Sequence, residues 1–254
     1  MTTLGFSFQL QLSFSCPVQR HAFVLRCLPE SSASQQVERA DIHVLPRLPL
    51  THSSDAFGLK QTGTIFAPHA GFCVQAEGRV QVAPEAPEPS PPDWQLGPYR
   101  CHTPMTVPGE ALQALNASLK GDDIPDSVMT LLQDKFVYQP GVTGVSTTAE
   151  EAAAAMQGVC QDESHVMLSL LRMHGIPCRY VMGYMLGDGS THAWVEYARD
   201  GRWLGLDPTN RRAVNDEYIR IAFGRDANDC PVNRGIFSGS AWQRSQCSAA
   251  VWKE

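Results

Sequence analysis

No stretch of the 254 residues approaches the 18 or more consecutive apolar residues of a membrane span, so no transmembrane helix is expected. Basic charge is also scarce. Lys and Arg number 20 against 26 Asp and Glu, and a net charge of −6 argues against nucleic acid or an anionic membrane as a standing partner. The first residues lack both the basic leader and the continuous apolar core of a signal peptide. A cytoplasmic location with reduced cysteines is therefore expected. No C-x-x-C pair occurs, the histidines show no ligand spacing, and no acidic loop of the calcium-binding kind is present. Neither a metal nor a cofactor is expected.

What is present suits a globular protein: 43% apolar and 18% charged residues, at a length for one large domain or two small ones. Even positions from Leu4 through Phe6, Phe8, Leu10, Leu12 and Phe14 to Cys16 are apolar, the period of a half-buried strand. Further short apolar runs at 22–27, 41–48, 63–67 and 72–82 are separated by turn-rich stretches at 29–34, 51–55 and 68–71. Residues 1–84 thus read as an all-β sandwich domain. Eight prolines then fall between Pro84 and Pro108, too dense for helix or central strand, so 85–108 reads as an extended linker.

Helical periods follow. Leu112, Leu115 and Leu119 mark one helix, and Asp123-Ile124-Pro125 opens a second that carries Val128, Leu131 and Leu132. Thr148 and Glu151 offer a capping box to a third, expected to stop at Gly158. A fourth runs from about Cys160 to His174, ending at Gly175. Strands at 177–184, 192–198 and 202–207 come next, with hairpin signals at Gly187-Asp188-Gly189 and Arg199-Asp200-Gly201. Helices followed by an antiparallel meander give an α+β domain over 109–225, with 226–254 as a C-terminal extension whose strands pack on the rest.

Cys160 lies in G-V-C-Q-D, just past a helix-breaking glycine and in the first turn of a helix. Unpaired N–H groups and the positive dipole end there stabilise an anion, as a nucleophilic sulfur requires. A randomly chosen cysteine is more often a buried structural residue. His192 opens a strand in S-T-H-A-W-V-E-Y, and Asp207 ends the next in G-L-D-P-T-N. Adjacent antiparallel strands would set the carboxylate beside the imidazole, to fix its tautomer and steady its charge. Taken singly, a His at a strand start and an Asp before Pro read as strand-end and turn chemistry.

Together they carry more. The run G-V-C-Q-D-E-S-H-V-M-L-S-L-L-R-M-H-G-I-P-C-R-Y-V-M-G-Y, then H-A-W-V-E, then G-L-D-P-T-N, resembles the transglutaminase-like superfamily. The upstream F-V-Y-Q-P-G-V-T-G-V-S-T-T-A-E-E is similar to its bacterial branch, and the β-rich first region is similar to the domain preceding the core in bacterial members. The resemblance is dense over 136–210 and continues into G-R-D-A-N-D-C-P-V-N-R-G-I-F. It implies a papain-like core and a Cys-His-Asp triad: Cys160 as nucleophile, His192 as base and acid, Asp207 as orienting carboxylate. Tyr138 and Gln139 are candidates for a second oxyanion donor beside the Cys160 N–H. Asp162 and His165 read as support for the helix end and packing, Trp194 and Trp203 as core or pocket wall, and Cys178 as a residue of a buried strand.

Three functions fit. The first is hydrolysis of a peptide, protein or small amide through a thioester, a protease or amidase. Acyl transfer from the same thioester to an amine is the second. A non-catalytic binding or assembly module on the same fold is the third, disfavoured because all three triad positions are filled.

Overall fold

Alternation in the opening segment builds the longest strand. The computed structural model describes residues 1–83 and 85–254. In it β1 (Thr2–Leu25) buries Leu4, Phe6, Phe8, Leu10, Leu12 and Phe14 on one face. The period then breaks. Cys16, expected on the same buried face, is exposed, because the register with its neighbour shifts between Ser13 and Val18. A bulge of this kind turns the strand and re-aims its side chains.

The bend lets one strand serve two sheets. Its first half lies between β5 (His69–Val82) and the last strand of the chain, with β2 (Gln35–Leu45) flanking β5. Its second half, His21–Leu25, pairs with β4 (Gly58–Ile65), which in turn pairs with β3 (Thr51–Asp55). The Thr51–Asp55 stretch, expected to be a turn, is thus a strand with all five residues exposed. Its polar composition reflects an uncovered edge, not a break in the sheet.

The proline-rich stretch is extended, as its composition requires, but is no free spacer. Short helical turns occupy Asp93–Gln95 and α1 (Gly97–Arg100). The Trp203 N–H donates to the Glu88 carbonyl (2.8 Å) and the Ser90 N–H to the Gly201 carbonyl (2.9 Å). The Glu88 carboxylate accepts from the Ser34 N–H and from Arg220, each at 3.0 Å. One side chain ties three parts of the chain together.

Four further helices follow: α2 (Glu110–Ala117), α3 (Ile124–Lys135), α4 (Ala149–Ala155) and α5 (Cys160–Met173). Asp123 caps α3 through the Asp126 N–H, and Thr148 with Glu151 forms the capping box of α4. Such caps contribute about 1 kcal/mol each. α4 stops at left-handed Met156, two residues before the glycine expected to end it. The chain then runs extended, and two-residue strands β6 (Val137–Tyr138) and β7 (Gln157–Gly158) pair in parallel ahead of α5. α5 is buried along almost its whole length, so its core position, not its helix propensity, fixes where Cys160 sits.

α5 packs on an antiparallel sheet. β8 (Cys178–Met185), β10 (His192–Arg199) and β11 (Arg202–Asp207) form the expected meander. β12 (Arg212–Ala213) extends it beyond β11, and β13 (Tyr218–Gly224) returns to pair with β8. The Gly187-Asp188-Gly189 segment, expected as a hairpin turn, is β9, paired with the last strand. That strand, β15 (Gln243–Lys253), and β14 (Asn233–Ser238) both join β1. The core is continuous across the two parts: Phe6 and Phe8 each stack on Tyr184 of β8 with centroids 5.5 Å apart.

Candidate active site

Three elements converge at the N-terminus of α5. Cys160 is its first residue, half-buried, after the extended N-cap Val159. The N–H of that first residue has no carbonyl one turn back to bind, so it is available to a ligand. Asp162 holds the entry to the helix: its carboxylate accepts from the Val159 N–H (2.8 Å) and the Thr143 hydroxyl (2.7 Å). His165, one turn further in, is fully buried and accepts from the Ala227 N–H (3.2 Å). Both do the supporting work expected of them.

His192 opens β10 opposite Gly183 of β8, and Asp207 ends β11. His192 Nε2 lies 2.7 Å from Asp207 Oδ2. Asn210 Nδ2 approaches the same nitrogen at 3.4 Å, and the Cys160 side chain lies close enough to the imidazole for its charge to act on the ring. With Nε2 facing the carboxylate, Nδ1 is the nitrogen left for the thiol. The structure therefore sets the Cys160 side chain beside a hydrogen-bonded His192–Asp207 pair.

Asp207 is wholly buried and densely bonded. Besides His192, its Oδ2 accepts from Tyr218 Oη and Asn210 Nδ2, both at 2.7 Å, and its Oδ1 accepts from the Asn210 backbone N–H at 3.1 Å. The last bond is the turn chemistry expected of an Asp before Pro, so the residue has both roles at once. Burial alone would raise its carboxyl; the bond and charge of His192, with Asn210 and Tyr218, hold it below the ordinary value. Burial likewise pulls on His192, in the direction of the neutral ring. The Asp207 hydrogen bond, with the charges of Asp207 and nearby Cys160, prevails and raises its pKa to about 9. The ring remains an imidazolium through the neutral range.

Sequence reasoning did not anticipate the residues behind Asp207. Tyr218, on β13, donates to Asp207 while accepting from Arg212 Nε at 2.9 Å, and Glu217 holds Arg212 in turn. Burial and the Asp207 charge push the Tyr218 phenol up, so it remains a donor. Trp194 packs edge-on against Tyr218 with centroids 5.3 Å apart. Glu163, one turn along α5 from Cys160, is buried and accepts from the Thr209 hydroxyl. Burial, then nearby Asp207, raise its pKa. Asn210 and Thr209 stand inside the D-P-T-N run, which was a usable signal; nothing local marks Tyr218.

Of the two expected oxyanion candidates, Tyr138 is in β6 and close enough to Cys160 and Glu163 for their charges, after partial burial, to raise its phenol. Gln139 contributes its backbone N–H to the Gly158 carbonyl (2.7 Å), tying this segment to the strand before Cys160. The eight cysteines are free thiols. Burial pushes Cys178 up to about 11 and raises Cys27 and Cys230 further. Among the described residues no group of three or more His, Cys, Asp or Glu could hold a metal ion, and no helix is long and apolar enough to cross a membrane.

Comparison with known proteins adds to this geometry. Residues 113–208 match the Transglutaminase-like superfamily, and residues 6–81 match the Bacterial transglutaminase-like N-terminal region. An uncharacterized protein of Mycobacterium tuberculosis is 30% identical over 222 residues, covering 72% of this chain and 71% of that one. A protein-glutamine gamma-glutamyltransferase of Pseudomonas aeruginosa is 29% identical over 139 residues, 45% of this chain and 21% of that protein. Among solved structures, a "Putative Cysteine Protease" from Cytophaga hutchinsonii superposes with a TM-score of 0.77 at 19% identity, over 97% of this chain and 90% of that one. That likeness bears on the fold, an α+β core of helices packed on an antiparallel sheet.

Proposed function

Because the chain belongs to the transglutaminase-like superfamily, we propose that it is a cysteine-dependent enzyme that cleaves amide or peptide bonds through a thioester. The observation that supports this is the His192–Asp207 hydrogen bond, with Asp207 fully bonded behind it and Cys160 beside the imidazole. The thiolate is the nucleophilic form of the sulfur, and the His192 ring beside it holds the proton the thiol gives up. The sulfur attacks the carbonyl carbon, and the developing oxyanion meets the free Cys160 N–H at the helix start. His192 then gives its proton to the departing amine as the C–N bond breaks, leaving the acyl group on sulfur. Water attacks the thioester, His192 takes its proton, and the acid leaves as the sulfur is restored. Asp207 keeps the ring oriented and its charge compensated throughout.

A second reading, transfer of the acyl group to an amine, draws on the name of the Pseudomonas aeruginosa relative. The two differ only in what attacks the thioester.

Alkylation tests the shared first half. Iodoacetamide at pH 6 is expected to label Cys160 fastest, with the rate falling at least tenfold in His192→Ala. Slow, even labelling of all accessible cysteines would refute the reading. Incubation with peptide substrates, with and without a primary amine, then separates hydrolysis from transfer by the mass of the product.

A further inference from the structure

The segment between α3 and α4 has a composition its position does not explain. Residues 136–149 contain no Asp, Glu, Lys, Arg or His. Phe136 and Ala149, at the two ends, are buried, but the span between them is nearly all exposed. It includes four large apolar side chains: Val137 at 57% exposure, Tyr138 at 54%, Val142 at 42% and Val145 at 85%. Single exposed apolar residues are ordinary; four within nine residues of one uncharged segment is a concentration of them.

The segment is also fastened to the nucleophile. The Val137 and Gln139 N–H groups donate to the Met156 and Gly158 carbonyls, the strand leading into Cys160. Thr143 bonds Asp162, and Gln161 Nε2 donates to the Val145 carbonyl at 3.3 Å. Asp162 and Gln161 are the first two residues after Cys160. The apolar run therefore borders the reacting sulfur and is held there by bonds at both of its ends. Water-facing apolar groups are a cost to the free protein that a bound apolar partner removes.

We propose that residues 137–145 form the recognition edge for the acyl donor, and that the donor is an extended, uncharged polypeptide stretch with aliphatic side chains flanking the bond attacked. This rests on the reading of Cys160 as nucleophile and adds the substrate class. A small amide would reach one of these side chains. An extended strand advances about 3.3 Å per residue and meets several in succession. Charged flanking residues would be desolvated against a surface with no counter-charge, and are selected against.

Binding tests this without chemistry. In Cys160→Ala, fluorescence anisotropy would compare a fluorescein-labelled heptapeptide with valine and leucine flanking a central glutamine against a matched one with aspartate and lysine there. The apolar peptide is expected to bind at least about tenfold tighter. Adding Val142→Ser with Val145→Ser should erase that preference, since two exposed valines covered by ligand account for roughly tenfold or more. Both side chains are exposed, so the urea midpoint should not move. Equal binding of the two peptides, binding of neither, or a preference that survives the serines would overturn the proposal. So would a dimer in sedimentation that the serines abolish, which would assign the face to a second copy of the chain. Failure of the nucleophile reading shows separately, as absent selective alkylation of Cys160.

Discussion

Tyr218→Phe isolates one donor on the Asp207 carboxylate without changing ring size. The phenol points its proton at Asp207 Oδ2 from 2.7 Å in a site closed to water. A hydrogen bond to a charged group contributes about 1.5–3 kcal/mol. Asp207 stays ionised either way because His192 and Asn210 still serve it. The loss is therefore felt mainly as a more negative potential at the imidazole. If a third to a half of that energy is felt at His192, about 1 kcal/mol, its pKa rises by roughly 0.7 from about 9, at 1.36 kcal/mol per unit. Arg212 Nε also loses its acceptor, but Arg212 is partly exposed and water replaces the phenol there. Titration of the 13C-labelled His192 ring by NMR between pH 7 and 11 is the assay. A pKa that stays put or falls would refute the reasoning. It would mean that Asn210 alone fixes the carboxylate and Tyr218 is only a wall of the site.

Two further outcomes follow from the same structure. His192 is raised from 6.5 to about 9, so its contribution to stability is complete below about pH 6.5 and is lost as pH rises through 9, a loss of about 3 kcal/mol. His21 and His165 are depressed to about 4, foremost by burial, so stability also falls as pH drops from 6.5 toward 4. Urea midpoints at pH 4.5, 6.5 and 9.5 should peak at the middle value, and His192→Ala should flatten the alkaline side; equal wild-type midpoints at 6.5 and 9.5 would contradict the shift. Gly183→Ala puts a methyl 2.2 Å from the Ile219 carbonyl oxygen and 2.5 Å from the Trp194 ring. Backbone cannot yield cheaply, so a cost of about 2–4 kcal/mol and slower Cys160 alkylation are expected; thermal unfolding at unchanged midpoint would count against it.

Legibility in the sequence tracked the range of the cause. The alternation from Leu4 to Phe14, the cap at Asp123 and the capping box at Thr148 are written within a few residues, and each names its element. The placement of Cys160, His192 and Asp207 at element ends was readable because the pattern of each element is local. Thr51–Asp55 was misread because an uncovered edge strand has no buried face to impose a period. Tyr218 was invisible for another reason. Its role depends on β13 returning to pair with β8, a contact that no neighbouring residue announces. The docking of the proline-rich stretch through Glu88 has the same character, since Ser34 and Arg220 are far from it in sequence.

The pairing of β15 with β1 sets a timetable for folding. Leu4 faces Lys253 and Phe14 faces Gln243, so β1 receives one of its two neighbours only once β15 and everything between them has been synthesised. Until then the edge formed by residues 4–14 has unpaired backbone donors and acceptors beside an apolar face. That is a site for mispairing with other chains. Such long-range closure makes folding slow. It also means that the helices carrying Cys160 lie inside a loop whose two ends are strands of one sheet. Removing β15 would leave Cys160, His192 and Asp207 in the chain while opening the sheet on which Tyr184 packs.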